Sequence, residues 1–139
     1  MTTNLEIQAS ATVQDLLACL KTIGHFGVAG NLDPDLIARI RVVVEELFSN
    51  TIKYGYLGEC DREVRLSLTT TPITVLRYED DAPPFDPTRW ERPVEEGSGA
   101  PDPHREGEAG IALVLGLATA VAYEPMIGGN RLVLTFAPR

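Results

Sequence analysis

The sequence predicts an α+β fold: a two-layer sandwich with helices on one face of a mixed, mostly antiparallel sheet. Three observations predict it. Two stretches of helical period follow one another near the N-terminus. Residues of alternating polarity mark strands that come in pairs. The two pairs are separated by a long segment with no period at all, followed by one short apolar helix. The order reads strand, helix, helix, strand, strand, loop, helix, strand, strand.

Leu5, Ile7 and Ala9 alternate with polar neighbours and give the first strand. Val13 to about Phe26 is an amphipathic helix, with Val13, Leu16, Leu17, Leu20 and Ile23 on one stripe. Asp33-Pro34 starts the second helix, Asp as N-cap and Pro at the first helical position. That helix runs to about Tyr54, with Leu36, Ile40, Val43 and Leu47 at helical spacing and Gly55 and Gly58 beyond its end. Val64, Leu66 and Leu68 form a half-buried strand, Thr71-Pro72 turns the chain, and Ile73 to Tyr78 returns. Residues 81–109 hold six of the ten prolines and little apolar period, the composition of a lid at about 86–109. Order is expected to resume at Gly110. Ile111 to Ala118 is nearly all apolar, hence a buried helix, and Val121–Tyr123 with Leu132–Phe136 close the sheet around Gly128-Gly129-Asn130.

The chain has 139 residues, 44% of them apolar, which fits one domain over 1–139 with a proper core. A net charge of −8 argues against direct nucleic-acid binding, which rests on Lys and Arg. Two cysteines, Cys19 and Cys60, close neither a zinc site nor a disulfide scaffold. Residues 1–12 lack the basic start of a signal peptide, and no apolar run nears the roughly 20 residues that span a bilayer. The expectation is a cytoplasmic protein with no membrane contact.

Four features carry chemistry, in order along the chain. Glu46 and Asn50 stand at i, i+4 on the second helix, stacked on one face. An amide oxygen is a hard ligand suited to magnesium, and a carboxylate one turn away can accept a proton. Glu79-Asp80-Asp81-Ala82-Pro83-Pro84-Phe85-Asp86-Pro87 ends a strand with carboxylates able to accept a hydrogen bond from an amino group. The lid is the third feature. The fourth is Gly107-Glu108-Ala109-Gly110 running into an apolar helix, where glycine-rich backbone offers N–H groups to phosphate oxygens.

The order and spacing of these four resemble the nucleotide pocket of the GHKL (Bergerat) ATPases, and most closely the anti-sigma factor serine/threonine kinases among them. The resemblance covers nearly the whole chain. It rests on Glu-Glu-Leu-Phe-Ser-Asn, Pro-Pro-Phe-Asp-Pro and the final Gly-Gly-Asn-Arg-Leu-Val-Leu-Thr-Phe, together with the Asp33-Pro34-Asp35 helix start. It implies ATP and Mg as cofactors, with Asn50 as metal ligand and Glu46 as catalytic base. Asp80 would bind the adenine amine within a pocket shaped by Ala82, Phe85 and Ile111. Gly107 and Gly110 would shape the phosphate site. Of the lid residues Arg89, Arg92, His104 and Arg105, Arg105 sits nearest these glycines and is the one expected to reach the γ-phosphate. The partners it implies are an anti-anti-sigma (antagonist) protein and a sigma factor, with a homodimer as the assembly family members often form. The alternative is a nucleotide-binding regulatory module that titrates its partner without phosphorylating it. Two departures bear on that choice. The family's usual Asp-x-Gly is Asp80-Asp81-Ala82 here, so alanine is expected to strain the turn by about 1 kcal/mol or shift the base. Glu108 stands where a second glycine is common, and its carboxylate would repel phosphates unless it points away.

Overall fold

In a computed structural model, which describes residues 3–89 and 105–138, the chain forms a five-stranded sheet covered on one face by three α-helices. The elements are β1 (Asn4–Ser10), α1 (Val13–Ala29), α2 (Pro34–Asn50), β2 (Glu63–Thr69), β3 (Thr74–Asp80), α3 (Arg105–Leu117), β4 (Ala120–Met126) and β5 (Gly129–Phe136). The strand order is β1-β2-β3-β5-β4, and every pairing is antiparallel. The sequence leads one to expect a mixed sheet. The crossover through α3 does bring β4 in parallel to β3, but β5 folds back between them, so no parallel pair forms among the described strands.

Alternation decides which side of the sheet is the core. Val64, Leu66, Leu68, Leu76, Tyr78, Leu132, Leu134 and Phe136 turn to the helices and are buried, where they meet Ile40, Val43, Val44, Leu47 and Phe48 of α2. Fully burying a side chain of this size stabilises by about 1.5–3 kcal/mol, so this layer dominates the favourable side of folding. The opposite face is polar. Arg65 pairs with Glu63, Glu79 and Asp81, and Arg131 pairs with Glu79 and Glu124.

Local chemistry sets the helix starts. Asp33 caps α2, its carboxylate accepting from the Asp35 N–H at 2.9 Å, with Pro34 at the first helical position. Thr12 caps α1 in the same way through the Asp15 N–H, and Asp15 reaches back to the Ser10 N–H. The expected α1 stripe is half right. Leu16, Leu20 and Ile23 are buried together with Cys19, but Val13 and Leu17 are 50% and 62% exposed, because the sheet sits on the other edge of the stripe. Burial pushes the Cys19 thiol up to about 11, as befits a small apolar filler. Buried Arg39 of α2 ties three elements together: it pairs with Asp35 at 3.1 Å and donates to the Leu117 and Ala137 carbonyls.

Two expectations about helices are corrected. α2 ends as an α-helix at Asn50, and Thr51–Gly55 is a single π turn closed by the Tyr56 N–H on the Thr51 carbonyl at 2.8 Å. α3 begins at Arg105, ahead of Gly110, and it is not buried all round: Ile111 and Val114 face the core while Leu113 is 42% exposed. Most of the expected lid, residues 90–104, lies outside the described residues. Among the described residues no helix is long and apolar enough to cross a membrane.

Candidate functional site

The π turn after Asn50, the exit of β3 and the entry of β5 meet at one end of the sheet. There they enclose a pocket of about 440 Å³, a size that suits a small-molecule ligand. Leu47, Asn50, Thr51, Tyr54 and Gly55 form one wall, Ile111 of α3 closes another, and Ala82 to Phe85 with Pro87 make a third. Tyr78, Asp80, Asn130 and Leu132 form the floor. π turns of this kind concentrate at functional sites, because the extra residue re-aims the side chains beside it.

Asp80 is the buried carboxyl group of this floor, 7% exposed. Thr51 donates its hydroxyl to Asp80 Oδ2 at 2.8 Å. Oδ1 accepts from Asn130 Nδ2 at 2.9 Å and from the Ala82 N–H at 3.2 Å. A carboxylate offers roughly four acceptor positions, so three are taken and one, on Oδ2, is open. The Tyr78 hydroxyl lies 2.7 Å from Thr51 Oγ1, and burial pushes that phenol well above its ordinary range. The Tyr78 hydroxyl also donates to the Leu47 carbonyl at 3.2 Å, and Thr51 Oγ1 stands 3.1 Å from that same carbonyl. The contact of Thr51 with Asp80 is the shorter of its two donor contacts. Thr51, Asn130 and Ala82 each place a donor against Asp80.

The neighbouring carboxylate has a different fate, because successive residues of a strand point to opposite faces. Asp81 turns to the open face, 40% exposed, and pairs with Arg65 at 2.9 Å. Its N–H donates to the Tyr56 hydroxyl, and burial raises that phenol too.

Ala82 does not strain the turn. Asn31 and Leu57 are the non-glycine residues of positive φ among those described, and Ala82 is not among them. Its methyl group instead takes the space left by Gly55, where a Cβ would come within 2.8 Å of it. The missing glycine of the Asp-x-Gly pattern is answered by a glycine across the pocket.

The structure brings Asn50, Asp80, Ala82, Phe85 and Ile111 to the pocket. Phe85 stays 55% exposed at the mouth. Glu46 is not among the described residues that line it. It stands one turn before Asn50, half-buried, its carboxylate packed on Gly110 of α3. A Cβ at Gly110 would overlap that carboxylate, so Gly110 serves as the close-approach point of α2 and α3. This corrects the expected free phosphate-binding loop at that position: Gly110 lies in the second turn of α3, where its N–H is committed to the helix. Gly107 lies in the first turn, whose N–H groups have no partner within the helix. The side chains of residues 105–108, Arg105 and Glu108 included, lie outside the described residues.

Three residues of this site were not singled out from the sequence: Thr51, Tyr78 and Asn130. Parity was the available signal for two of them. Tyr78 and Asp80 share the face of Leu76, and Asn130 shares the face of Leu132, Leu134 and Phe136. A polar residue on the core face of a strand needs a partner.

The histidine kinase-like ATPase domain is the family whose model matches residues 9–136. Among curated proteins none matches. Among solved structures, the chain is similar to the RsbU and RsbW domains of Rv1364c from Mycobacterium tuberculosis, at 17% identity and a TM-score of 0.66. The match covers 97% of this chain and 32% of that one, so this chain spans about a third of its length. That likeness concerns the fold, a three-helix layer on an antiparallel sheet. With a family model that spans almost the whole sequence, the chain belongs to the histidine kinase-like ATPase domains.

Proposed function

We propose that the pocket binds ATP with magnesium and that the chain is a regulatory serine/threonine kinase of the anti-sigma factor type. Its phosphate acceptor would be an anti-anti-sigma antagonist, and its second partner a sigma factor. The observation that carries the nucleotide reading is Asp80: a buried carboxylate, with three donors against it and one position open toward a 440 Å³ pocket. An exocyclic amine is the group that completes it. The Asn50 amide lines the pocket and offers a hard oxygen donor of the kind magnesium takes. The ion would be held there together with the phosphates, as magnesium commonly is, with the Asn50 amide as its protein ligand. Bound there, it would neutralise phosphate charge. Glu46 would accept the proton of the attacking hydroxyl, which is the part of phosphoryl transfer left to a side chain once positioning is supplied.

The second reading, a module that holds nucleotide without transferring phosphate, draws on the packing of Glu46 against Gly110. In this arrangement Glu46 stands beside the pocket, half-buried, with Gly110 of α3 against its carboxylate, so on the kinase reading α3 would have to move off it. Titration calorimetry of Asn50→Ala tests the metal assignment. Its affinity for ATP in magnesium should fall at least tenfold, about 1.4 kcal/mol, while affinity without magnesium changes little. Equal affinity of variant and wild type in magnesium would remove Asn50 from the site.

A further inference from the structure

Asn130 makes five hydrogen bonds from a side chain only 9% exposed. Its Nδ2 donates to Asp80 Oδ1 at 2.9 Å and to the Ala82 and Pro83 carbonyls, each at 3.1 Å. Its Oδ1 accepts from the Phe85 N–H at 2.9 Å and from the Tyr123 hydroxyl at 2.7 Å. The orientation of the amide is fixed by these partners. Turned over, the NH2 group would face the Phe85 N–H, and the oxygen would face two carbonyls and a carboxylate. The two protons and the two lone pairs are all engaged, so Asn130 has nothing left to offer a ligand directly. What it touches, however, is both halves of the base-binding end: the carboxylate on the floor and the Ala82–Phe85 wall beside it. Tyr123 anchors this hub from β4, and β5 brings Asn130 opposite Asp80 in the sheet register.

Resting on the nucleotide reading above, we infer that Asn130 is a positioning residue for base selection, acting through Asp80 and the Phe85 wall so that the pocket takes a 6-amino purine and rejects a 6-oxo purine. With Asn130, Ala82 and Thr51 all donating, Asp80 presents a single acceptor of fixed direction, which an amine satisfies and a carbonyl oxygen opposes. Without Asn130, Oδ1 gains a free position and the carboxylate can turn on its own bond. The Pro83–Phe85 backbone also loses the amide that ties it to the floor. Both changes leave room for water between ligand and floor, and water can offer either a donor or an acceptor.

The test is a pair of calorimetric titrations with ATP and inosine triphosphate, which differ at position 6 of the purine and in the proton that the carbonyl places on N1. Wild type should favour ATP at least about tenfold, since a site built around a hydrogen bond leaves its polar group unpaired with the wrong ligand. In Asn130→Ala the preference should shrink to within about threefold, with ATP weakened more than the inosine nucleotide. The melting temperature without nucleotide establishes that the variant is folded. A folded Asn130→Ala with the wild-type preference would overturn the inference and leave the nucleotide reading standing. Wild type that bound neither nucleotide would overturn both. If Asn130→Ala does not fold, Asn130→Ser decides, because it keeps a polar group there while the shorter side chain no longer spans from Asp80 to the Phe85 N–H. A reduced ATP preference in folded Asn130→Ser supports the inference, and an unchanged one refutes it.

Discussion

On the kinase reading proposed above, Glu46→Gln should bind ATP nearly as well as wild type yet transfer phosphate to an antagonist protein at least about 100-fold more slowly, the low end for loss of a general base. Glutamine keeps the size and the contact with Gly110, so the α2–α3 packing survives. It removes only the basicity. The neighbour Glu45 is the internal control: it is exposed, and its side chain points about 100° away around the helix. Glu45→Gln should leave transfer nearly intact. Label from ATP, counted against an antagonist whose acceptor serine is alanine, gives the rate. Equal transfer by Glu46→Gln and wild type would remove Glu46 as the base. Wild type that binds ATP tightly and labels no cognate antagonist would favour the binding module.

Asp80→Asn should lose ATP affinity at least about tenfold and narrow or invert the preference over GTP. The amide oxygen can keep the bonds from Asn130 and the Ala82 N–H, which leaves the NH2 group toward Thr51 and the ligand. An acceptor for the base then becomes a donor, suited to the carbonyl of guanine and repelled by the amine of adenine. Asp80→Ala is the harsher change. It strands the Ala82 N–H, at about 1–3 kcal/mol if water does not reach it, and takes one acceptor each from Thr51 and Asn130, which keep the Leu47, Ala82 and Pro83 carbonyls, so the fold itself should melt earlier. Comparing ATP and GTP affinities of Asp80→Asn by calorimetry checks the assignment. Unchanged affinity and preference would point instead to Asp81, although Asp81 is engaged with Arg65 on the opposite face of the sheet.

Much of the layout could be read from the sequence because its causes are local. Asp33-Pro34 carries its own cap and its own φ, and α2 starts there. Alternation in 64–68 and 132–136 fixed both the strands and their inner faces. What was not legible depends on distant partners. Whether Val13 or Cys19 forms the edge of the α1 stripe is decided by where the sheet lies, not by the helix. Gly107 and Gly110 read as a phosphate loop leading into the helix, yet α3 runs through both, and at Gly110 the missing side chain is what admits the Glu46 carboxylate. At the pocket, Asp80, Asn50 and Phe85 stood out as chemistry-bearing types. Thr51 and Asn130 did not, because their work is to hold Asp80, and Asn130 does so from fifty residues away. Ala82 shows the same limit from the other side: its fit depends on Gly55, which read only as a helix stop.

The measurement that bears most directly on nucleotide binding at this pocket is the melting temperature of the wild-type chain with and without ATP and magnesium. A ligand at 100 times its dissociation constant adds about 2.7 kcal/mol of stability, which in a domain of this size raises the midpoint by several degrees. The midpoint should rise by that much, more with magnesium than without, and less for GTP at the same concentration. A midpoint unmoved by millimolar ATP and magnesium, in a protein that melts cooperatively, would contradict nucleotide binding at this pocket.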